Sequence, residues 1–319
     1  MNATREQRLE RALFRGANLT LENAAYARAV RAFLDALLEM DGASEDLTAR
    51  ALGFRDRRAS AAVLARAGGI VAGLAELDLL LRGSGVQTEL RKQDGEAIRP
   101  EEVLLAAEGE ESRLLALERV GLNLLQRMSG IATASRCLQE RLARRSLPAK
   151  VVGTRKTPWG LLDKRALHLG GGGTHRLSLG DAILIKNNHL ALLASREDQA
   201  APLAIERAWQ HRTGSAFIEV EVRGEAAARA AAQTFQRLRQ KDGDDYPCLL
   251  MVDNATPEET RTVVEMLRRE DLRDDTLVEA SGGIAEASLE TYAEAGVDAV
   301  SIGALTHSAR ALDICQRVS

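Results

Sequence analysis

The sequence predicts an α/β protein in which a smaller N-terminal α+β domain precedes an open, incomplete α/β barrel. The chain has 319 residues, 45% of them hydrophobic, which is enough for two domains with a buried core. From about Ala149, short apolar runs alternate with helical segments, and this βαβα rhythm is typical of a parallel sheet. Because fewer apolar runs are visible than the eight strands of a closed barrel, we expect the barrel to be incomplete.

The N-terminal domain is expected to span residues 1–126. Its first helix is predicted over residues 20–40, where apolar residues recur at helical spacing. Short strands separated by turns follow, and a long apolar-faced helix closes the region. The predicted strands are Ala61–Ala65, Val86–Leu90 and Val103–Ala107, and the predicted closing helix is Arg113–Leu125, continued by Met128–Leu142.

The barrel domain is expected to span residues 127–319. Its predicted strands are Val151–Val152, Ala182–Ile185, Phe217–Val222, Cys248–Val252, Leu277–Ala280 and Ala299–Ile302. Its predicted helices are Leu203–His211, Glu225–Lys241, Pro257–Arg269, Glu286–Ala295 and Thr306–Cys315. The last of these, within a C-terminal segment of residues 306–319, is expected to pack on the N-terminal domain.

Composition argues against several classes of protein. No run of eighteen apolar residues is present, so no membrane span is expected. The polar start, Met1–Glu10, lacks the apolar centre of a secretory signal, and the three cysteines are far apart, so a reducing cytoplasm is the expected location. A net charge of -3 and 3% aromatic residues do not favour a nucleic-acid binder.

Unusual polar residues follow the predicted barrel strands at the points where the strands end. In a β/α barrel that rim is where active sites are built, and its late glycine turns bind phosphate through backbone N–H groups. The residues placed there are Thr154, Arg155, Lys156, Lys186, Glu221, Asp253, Ser281, Gly282, Gly283 and Gly303.

The residue types at this rim indicate an anionic ligand. Basic side chains at Arg155, Lys156, Arg176 and Lys186, with His175, are costly to gather unless an anion compensates them. Two carboxylates, Glu221 and Asp253, stand opposite, and such pairs near phosphates commonly hold Mg²⁺, directly or through water. They would equally stabilise a cationic sugar in a transition state.

Each of these features alone also has an ordinary structural explanation. Arg155-Lys156 could be a solvated loop, His175 a surface or a hydrogen-bonded histidine, and Gly170–Gly173 a flexible turn without the Rossmann spacing. Only their coincidence at one predicted rim favours a functional site.

Ordered motifs along the chain carry a resemblance to a known family. They are Glu45-Asp46-Leu47-Thr48, Glu118-Arg119, Leu125–Thr133, Thr154-Arg155-Lys156-Thr157, Gly171–Arg176, Asp181–Lys186, Glu219-Val220-Glu221-Val222, Val252-Asp253-Asn254, Glu279–Ile284 and Ser301-Ile302-Gly303. With these motifs the chain resembles the quinolinate phosphoribosyltransferases, the carboxylating nicotinate-nucleotide pyrophosphorylases of NAD biosynthesis.

The resemblance implies the open barrel of type II phosphoribosyltransferases and a homodimer, or a higher oligomer, with sites shared between subunits. Its substrates would be quinolinate and phosphoribosyl pyrophosphate, with Mg²⁺. By matching motif, Arg119 would reach into the partner's site, and Arg155, His175 and Arg176 would form the acceptor pocket.

The remaining matched residues would bind the sugar phosphate. Lys156 and Lys186 would face acceptor and pyrophosphate, and Glu221 and Asp253 would sit near the ribose and Mg²⁺. These four would be catalytic. The turns at Ser281-Gly282-Gly283 and Gly303 would hold the 5′-phosphate, and Thr154 is also expected to bind substrate.

Two positions depart from the family pattern. The loop between Lys156 and Lys164 is shorter than usual, and Asn187 stands where aspartate is commoner. Three alternatives therefore accompany the quinolinate hypothesis: a related phosphoribosyltransferase with another acceptor, a sugar-phosphate isomerase or aldolase barrel, and a non-catalytic binding protein.

Overall fold

A computed structural model describes residues 3–54 and 57–319 of the chain. The helices in these residues are α1 (Arg5–Leu13), α2 (Ala24–Asp41), α3 (Leu47–Leu52), α4 (Leu74–Gly83), α5 (Glu111–Arg144), α6 (Leu161–Leu169), α7 (Asn187–Ala191), α8 (Glu197–Gln210), α9 (Glu225–Asp242), α10 (Pro257–Arg269), α11 (Leu289–Glu294) and α12 (Ala304–His307). The strands are β1 (Arg58–Ala65), β2 (Gly69–Ile70), β3 (Gln87–Leu90), β4 (Ala97–Ile98), β5 (Val103–Glu110), β6 (Lys150–Val152), β7 (Ile183–Ile185), β8 (Ile218–Val222), β9 (Cys248–Asp253), β10 (Leu277–Ser281), β11 (Ala299–Ser301) and β12 (Ile314–Val318).

The larger of two compact units comprises residues 1–15, 137–157 and 172–307. Its centre is a six-stranded parallel sheet in the order β6-β11-β10-β9-β8-β7. All six predicted barrel strands are present, which confirms the α/β class. The end strands β6 and β7 do not pair with each other among the described residues, so the sheet is open, as expected.

The sheet is buried because helices follow its strands. Every residue of β8 is buried, including two glutamates, as is usual for a parallel strand covered on both faces. Helix α10 begins at the predicted residue because Thr256 and Glu259 form a reciprocal capping box around Pro257.

Helix α1 belongs to this unit rather than to the smaller one. Leu9, Ala12 and Leu13 pack in a buried cluster with residues at the amino-terminal ends of the sheet strands, among them Phe217 and Leu277. Arg5 adds an ion pair of 2.6 Å to Asp298, which lies just before β11. The carboxyl ends of the strands are therefore left open for a site.

The smaller unit comprises residues 16–136, 158–171 and 308–319. It holds an antiparallel sheet in the order β12-β1-β5-β3 and a two-stranded β2-β4 pair. The predicted helix Arg113–Leu125 and its predicted continuation Met128–Leu142 form one helix, α5, which runs without interruption from Glu111 to Arg144.

The prediction of a helix over Thr306–Cys315 is wrong. Only α12 is helical there, and Ile314–Val318 is the strand β12. It pairs antiparallel with β1, with Ala61 opposite Val318 and Ala65 opposite Ile314. The exposed edge of β1 supplies backbone hydrogen-bond partners for this segment, and that long-range pairing outweighs the local helical spacing.

The two units also divide the chain differently from the predicted boundary between residues 126 and 127. Residues 1–15 join the parallel-sheet unit through α1, whereas residues 158–171 and 308–319 join the smaller unit. Interleaving of this kind has no local sequence signal, because it arises from packing between distant segments.

Within the described part of the chain, no helix combines the length and apolar character needed to cross a lipid bilayer.

Replacing Leu13 by alanine tests the role of α1 in the sheet unit. The side chain is fully buried, so Leu13→Ala should lower the free energy of unfolding by about 2–5 kcal/mol. Urea denaturation measures this loss. Glu10→Ala, on the exposed face of the same helix, is the control and should change it by about 0.5 kcal/mol or less. Equal effects of the two substitutions would contradict the packing role of α1.

Candidate active site

A cavity of about 270 Å³ opens at the carboxyl ends of the parallel strands. Each strand contributes from its last residues or from the loop that follows, as the sequence predicts. The predicted site residues that line it are Thr154, Arg155, Lys156, His175, Arg176, Lys186, Glu221, Asp253, Ser281, Gly282 and Gly283.

Two predicted residues do not line this cavity. Gly303 lies beside it, where a Cβ atom would stand 3.6 Å from the Thr154 Oγ1. Arg119 lies on α5 in the smaller unit, with 59% of its side chain exposed. A site role for Arg119 therefore remains a prediction.

Arginine and lysine side chains form one side of the cavity. Arg155, Lys156 and Lys186 are exposed, whereas Arg176 is buried and holds the Ala182 carbonyl oxygen at 3.3 Å. Burial and the nearby Arg155 lower the pKa of Arg176. A bound anion would relieve the repulsion between these two guanidinium groups, so this side of the cavity is suited to bind one.

The Thr154–Lys156 loop is fixed by its own polar contacts. The Lys156 backbone N–H donates to Thr154 Oγ1 at 3.1 Å, and the Thr306 hydroxyl donates to the Lys156 carbonyl oxygen at 2.8 Å. The Lys156 side chain is thus anchored at its base while its ammonium group remains in solvent.

Carboxylates form the other side of the cavity. Glu221 accepts from the Asn187 backbone N–H at 2.9 Å and contacts Lys186 Nζ at 3.2 Å. Asp253 accepts from the Asn187 side-chain amide at 3.1 Å. Asn187 therefore joins the two carboxylates, and both remain at the cavity surface.

The carboxylate side fits a hard divalent cation. Glu221 and Asp253 present oxygen atoms, and the Asn187 Oδ1 is buried without a hydrogen-bond partner in the described chain. Oxygen donors of this kind are the ligands that Mg²⁺ uses in proteins. Glu221 and Asp253, directly or through water, are thus the residues suited to hold it.

The floor of the cavity contains a group of buried polar side chains. His175 Nε2 lies 2.9 Å from Glu219 Oε2 and 3.6 Å from Glu279 Oε2. The Ser301 hydroxyl donates to Glu279 Oε1 at 2.6 Å. The three ligand atoms of His175, Glu219 and Glu279 lie within 4.8 Å of one another, a set whose mixed nitrogen and oxygen donors suit a transition metal better than Mg²⁺.

Burial changes the pKa of Glu219, one of the side chains in this floor. Desolvation, and then the neighbouring Glu221, raise the pKa of Glu219 to about 8. Glu219 therefore keeps its proton at neutral pH, and the floor carries less negative charge than its two glutamates suggest.

A glycine turn follows β10 at the edge of the cavity. Gly282 has φ +96°, and a Cβ atom there would stand 2.5 Å from Asn254 Oδ1 and 2.6 Å from Asn254 N. Gly283 has φ +63° with open space around it. The close approach of Gly282 to Asn254 explains why this turn needs glycine.

Five further residues line the cavity without having been predicted as site residues: the apolar Leu184 and Met251, and the polar Asn254, Glu279 and Ser301. Glu279 carried a usable signal, because a glutamate inside the apolar run of a buried parallel strand needs a partner. Asn254 and Ser301 lacked this signal of a buried charge, since polar residues commonly end strands, although both lie in motifs that carry the family resemblance.

Two family models match the chain, together covering most of it. The quinolinate phosphoribosyl transferase N-terminal domain matches residues 46–129, and the C-terminal domain of the same family matches residues 131–316.

Curated relatives match over nearly their whole length. A probable nicotinate-nucleotide pyrophosphorylase (carboxylating) of Methanothermobacter thermautotrophicus is 36% identical over 280 residues, which cover 87% of this chain and 95% of the relative. A probable enzyme of the same name in Bacillus subtilis is 36% identical over 282 residues, covering 86% and 88% of the two chains.

Solved structures share the fold. NadC from Streptococcus pyogenes has a TM-score of 0.76 at 30% identity and covers 91% of this chain and 96% of its own. The nicotinate-nucleotide pyrophosphorylase from Francisella tularensis has a TM-score of 0.75 at 26% identity, covering 92% and 96%.

Replacing each of the two turn glycines, Gly282 and Gly283, by alanine distinguishes steric crowding of the added Cβ atom from backbone strain. Both positions have positive φ, so Gly283→Ala should lose about 1–2 kcal/mol of unfolding free energy from strain alone. Gly282→Ala should lose more, about 2–4 kcal/mol in total, because its Cβ also meets Asn254. Thermal and urea unfolding of both variants measure the difference, and a Gly283→Ala loss as large as that of Gly282→Ala would contradict it.

Proposed function

The chain belongs to the quinolinate phosphoribosyltransferase family, and we propose that it converts quinolinate and phosphoribosyl pyrophosphate into nicotinate mononucleotide, pyrophosphate and CO₂. The observation that carries this proposal is that one cavity brings arginines and lysines to face two carboxylates beside a glycine turn. That combination suits a dianionic acceptor and a phosphorylated sugar together.

The acceptor would lie against the arginines. Quinolinate carries two carboxylates, and Arg155 and Arg176 offer guanidinium groups that bind carboxylates in a bidentate manner. The repulsion that lowers the pKa of Arg176 would be relieved by such a ligand. Binding energy and charge compensation thus both favour a dianion over a neutral ring.

The sugar phosphate would span the rest of the rim. Glu221 and Asp253 would face the ribose hydroxyls and hold Mg²⁺, whose charge would help to neutralise the departing pyrophosphate. Lys156 and Lys186 would bind the pyrophosphate oxygens. Backbone N–H groups of the Ser281–Gly283 turn and of Gly303 would hold the 5′-phosphate.

The reaction then needs positioning and charge rather than a protein nucleophile. The lone pair of the pyridine nitrogen attacks the anomeric carbon as the bond to pyrophosphate breaks. The resulting pyridinium ring accepts the electron pair of the breaking carbon–carboxylate bond, CO₂ leaves, and the ring carbon takes a proton from solvent. Glu221 would stabilise the cation-like sugar on the way.

The alternative chemistries receive less support. An aldolase would need a lysine free to attack a substrate carbonyl, but Lys186 Nζ lies 3.2 Å from Glu221 Oε1 and is engaged in that contact. A phosphoribosyltransferase with a different acceptor would use the same sugar site, and the two guanidinium groups of Arg155 and Arg176 are what favours a dianionic acceptor here. A protein that only binds a ligand would not explain the Glu221–Asp253 pair, which suits Mg²⁺ and a cation-like sugar.

The proposal also covers the oligomeric state and the cellular location of the protein. We infer a cytoplasmic homodimer, or a higher oligomer built from such dimers, in which Arg119 of one subunit reaches the site of the other. Arg119 is exposed, and within the described part of its own chain its ion-pair contact is a distant one, 4.0 Å to its neighbour Glu118, which suits a residue that binds outside its own subunit.

The function is tested by product analysis. Purified protein with quinolinate, phosphoribosyl pyrophosphate and Mg²⁺ should release equimolar CO₂ and nicotinate mononucleotide, and nicotinate should be a poor acceptor. Glu221→Gln should lower kcat by about 10²–10³-fold, whereas Glu258→Gln, an exposed glutamate in the first turn of α10, should leave it unchanged. Absence of both products with the unaltered chain would overturn the proposal.

The shared site is tested by mixing inactive subunits. Arg119→Ala and Lys186→Ala proteins should each be nearly inactive, because each lacks one charge of every site. Heterodimers of the two should recover up to about a quarter to a half of the activity, since one site per dimer then has both residues intact. Verified heterodimers that stay inactive would contradict a site shared between subunits.

A further inference from the structure

We propose that Asn187 is the positioning residue of the cation side of the site. It ties Glu221 and Asp253 into one pair and, because it carries no charge, leaves the binding of Mg²⁺ dependent on the phosphates of the sugar substrate. This deepens the proposed function and rests on it. It gives a role to a position at which the chain departs from the family pattern, where aspartate is commoner.

Asn187 contacts the two carboxylates through different groups. Its backbone N–H donates to Glu221 Oε2 at 2.9 Å, and its side-chain amide donates to Asp253 Oδ2 at 3.1 Å. Because Asn187 is the first residue of α7, the position of the backbone donor is set by the helix and not by the side chain. A substitution at this position therefore removes the contact with Asp253 and leaves the contact with Glu221 in place.

Asp253 determines the orientation of the Asn187 amide. A carboxylate oxygen accepts hydrogen bonds and does not donate them, so the NH₂ group of the amide is the end that points to it. The other end of the amide, Oδ1, is then buried without a hydrogen-bond partner in the described chain, an arrangement that costs free energy. The amide keeps its bond to Asp253 although its oxygen is unsatisfied, which points to a function for that bond.

The contacts of Asp253 fall on one of its two oxygens. Besides the Asn187 amide, the Asn254 side-chain amide donates to Oδ2 at 3.4 Å, and an Arg223 nitrogen lies 3.8 Å from the same atom. The other oxygen, Oδ1, makes no hydrogen bond or ion pair with the residues that the structure describes. The contacts on Oδ2 thus orient the carboxylate and leave Oδ1 as an oxygen donor for a hard cation.

The formal charges around Asn187 cancel. Lys186 Nζ lies 3.2 Å from Glu221, and Arg223 lies 3.8 Å from Asp253, so each of the two carboxylates has one basic side chain beside it. An aspartate at position 187 would leave an excess of negative charge, which the asparagine does not supply. Because affinity for a hard cation depends on the charge of its oxygen ligands, we expect the free chain to bind Mg²⁺ weakly and the substrate's phosphates to supply the missing charge.

Replacing Asn187 by alanine removes the amide that orients Asp253. Mn²⁺ takes the same oxygen ligands as Mg²⁺, and its free concentration is measured by electron paramagnetic resonance. With phosphoribosyl pyrophosphate present, the dissociation constant for Mn²⁺ should rise about tenfold in Asn187→Ala, because a group that orients a metal ligand is lost. The KM for phosphoribosyl pyrophosphate should rise with it, while the KM for quinolinate should change by less than about twofold.

Replacing Asn187 by aspartate should have the opposite effect on the cation. A third carboxylate makes the site more negative, so the dissociation constant for Mn²⁺ alone, without sugar phosphate, should fall about tenfold. Without a cation the melting temperature followed by circular dichroism should fall, because the new carboxylate lies beside Asp253, and Mn²⁺ should restore it. The control Gln233→Glu adds the same charge at an exposed position of α9 and should change neither value.

Opposite effects of the two substitutions on Mn²⁺ binding are a readout that a merely structural role of Asn187 would not produce. Weakened binding in both variants, or no change in either, would overturn the inference. Binding of Mn²⁺ to the unaltered chain that is as tight without phosphoribosyl pyrophosphate as with it would also overturn it. None of these binding measurements depends on turnover. An unaltered chain that gives the expected Mn²⁺ binding but forms no nicotinate mononucleotide from quinolinate would overturn the proposed function alone.

Discussion

Positive charge gathered at the carboxyl end of a buried parallel sheet is the constraint on which the rest of the site depends. Arg176 is buried beside Arg155, and the pKa of Arg176 is lowered as a result. Such an arrangement costs folding free energy unless negative charge compensates it. Part of the compensation is internal, through the contact of Glu221 with Lys186. The remainder is left for a ligand, which is why a dianionic acceptor and a pyrophosphate leaving group fit this rim.

The sheet makes that arrangement possible by placing polar groups at its carboxyl end and apolar packing at its amino end. Leu9, Ala12 and Leu13 of α1 close the amino end in an apolar cluster. At the other end, Glu219 and Glu279 are completely buried within strands, so their positions are set by the ladder of backbone hydrogen bonds. Rigid strands hold functional groups more accurately than loops do, and the loop residue His175 lies in contact with two strand residues, Glu219 and Glu279.

The sequence alone could predict the parallel sheet and most of the rim. Six apolar runs identified the six strands, and polar residues such as Lys186 and Asp253 were placed correctly at the strand ends because parallel strands bring those ends together. The C-terminal strand β12 could not be predicted, since its partner β1 lies far away in sequence. The contacts of His175 with Glu219 and Glu279 were equally hidden, because these two glutamates belong to two different strands.

The most direct test of this account is a crystal structure of the chain with quinolinate and pyrophosphate bound. We expect the two quinolinate carboxylates to lie within hydrogen-bond distance of Arg155 and Arg176, with the ring nitrogen directed toward the Glu221–Asp253 side of the cavity. Pyrophosphate should contact Lys156 and Lys186. Quinolinate bound elsewhere, or bound here with its carboxylates away from both arginines, would contradict the claim that uncompensated positive charge at the sheet's carboxyl end defines the acceptor.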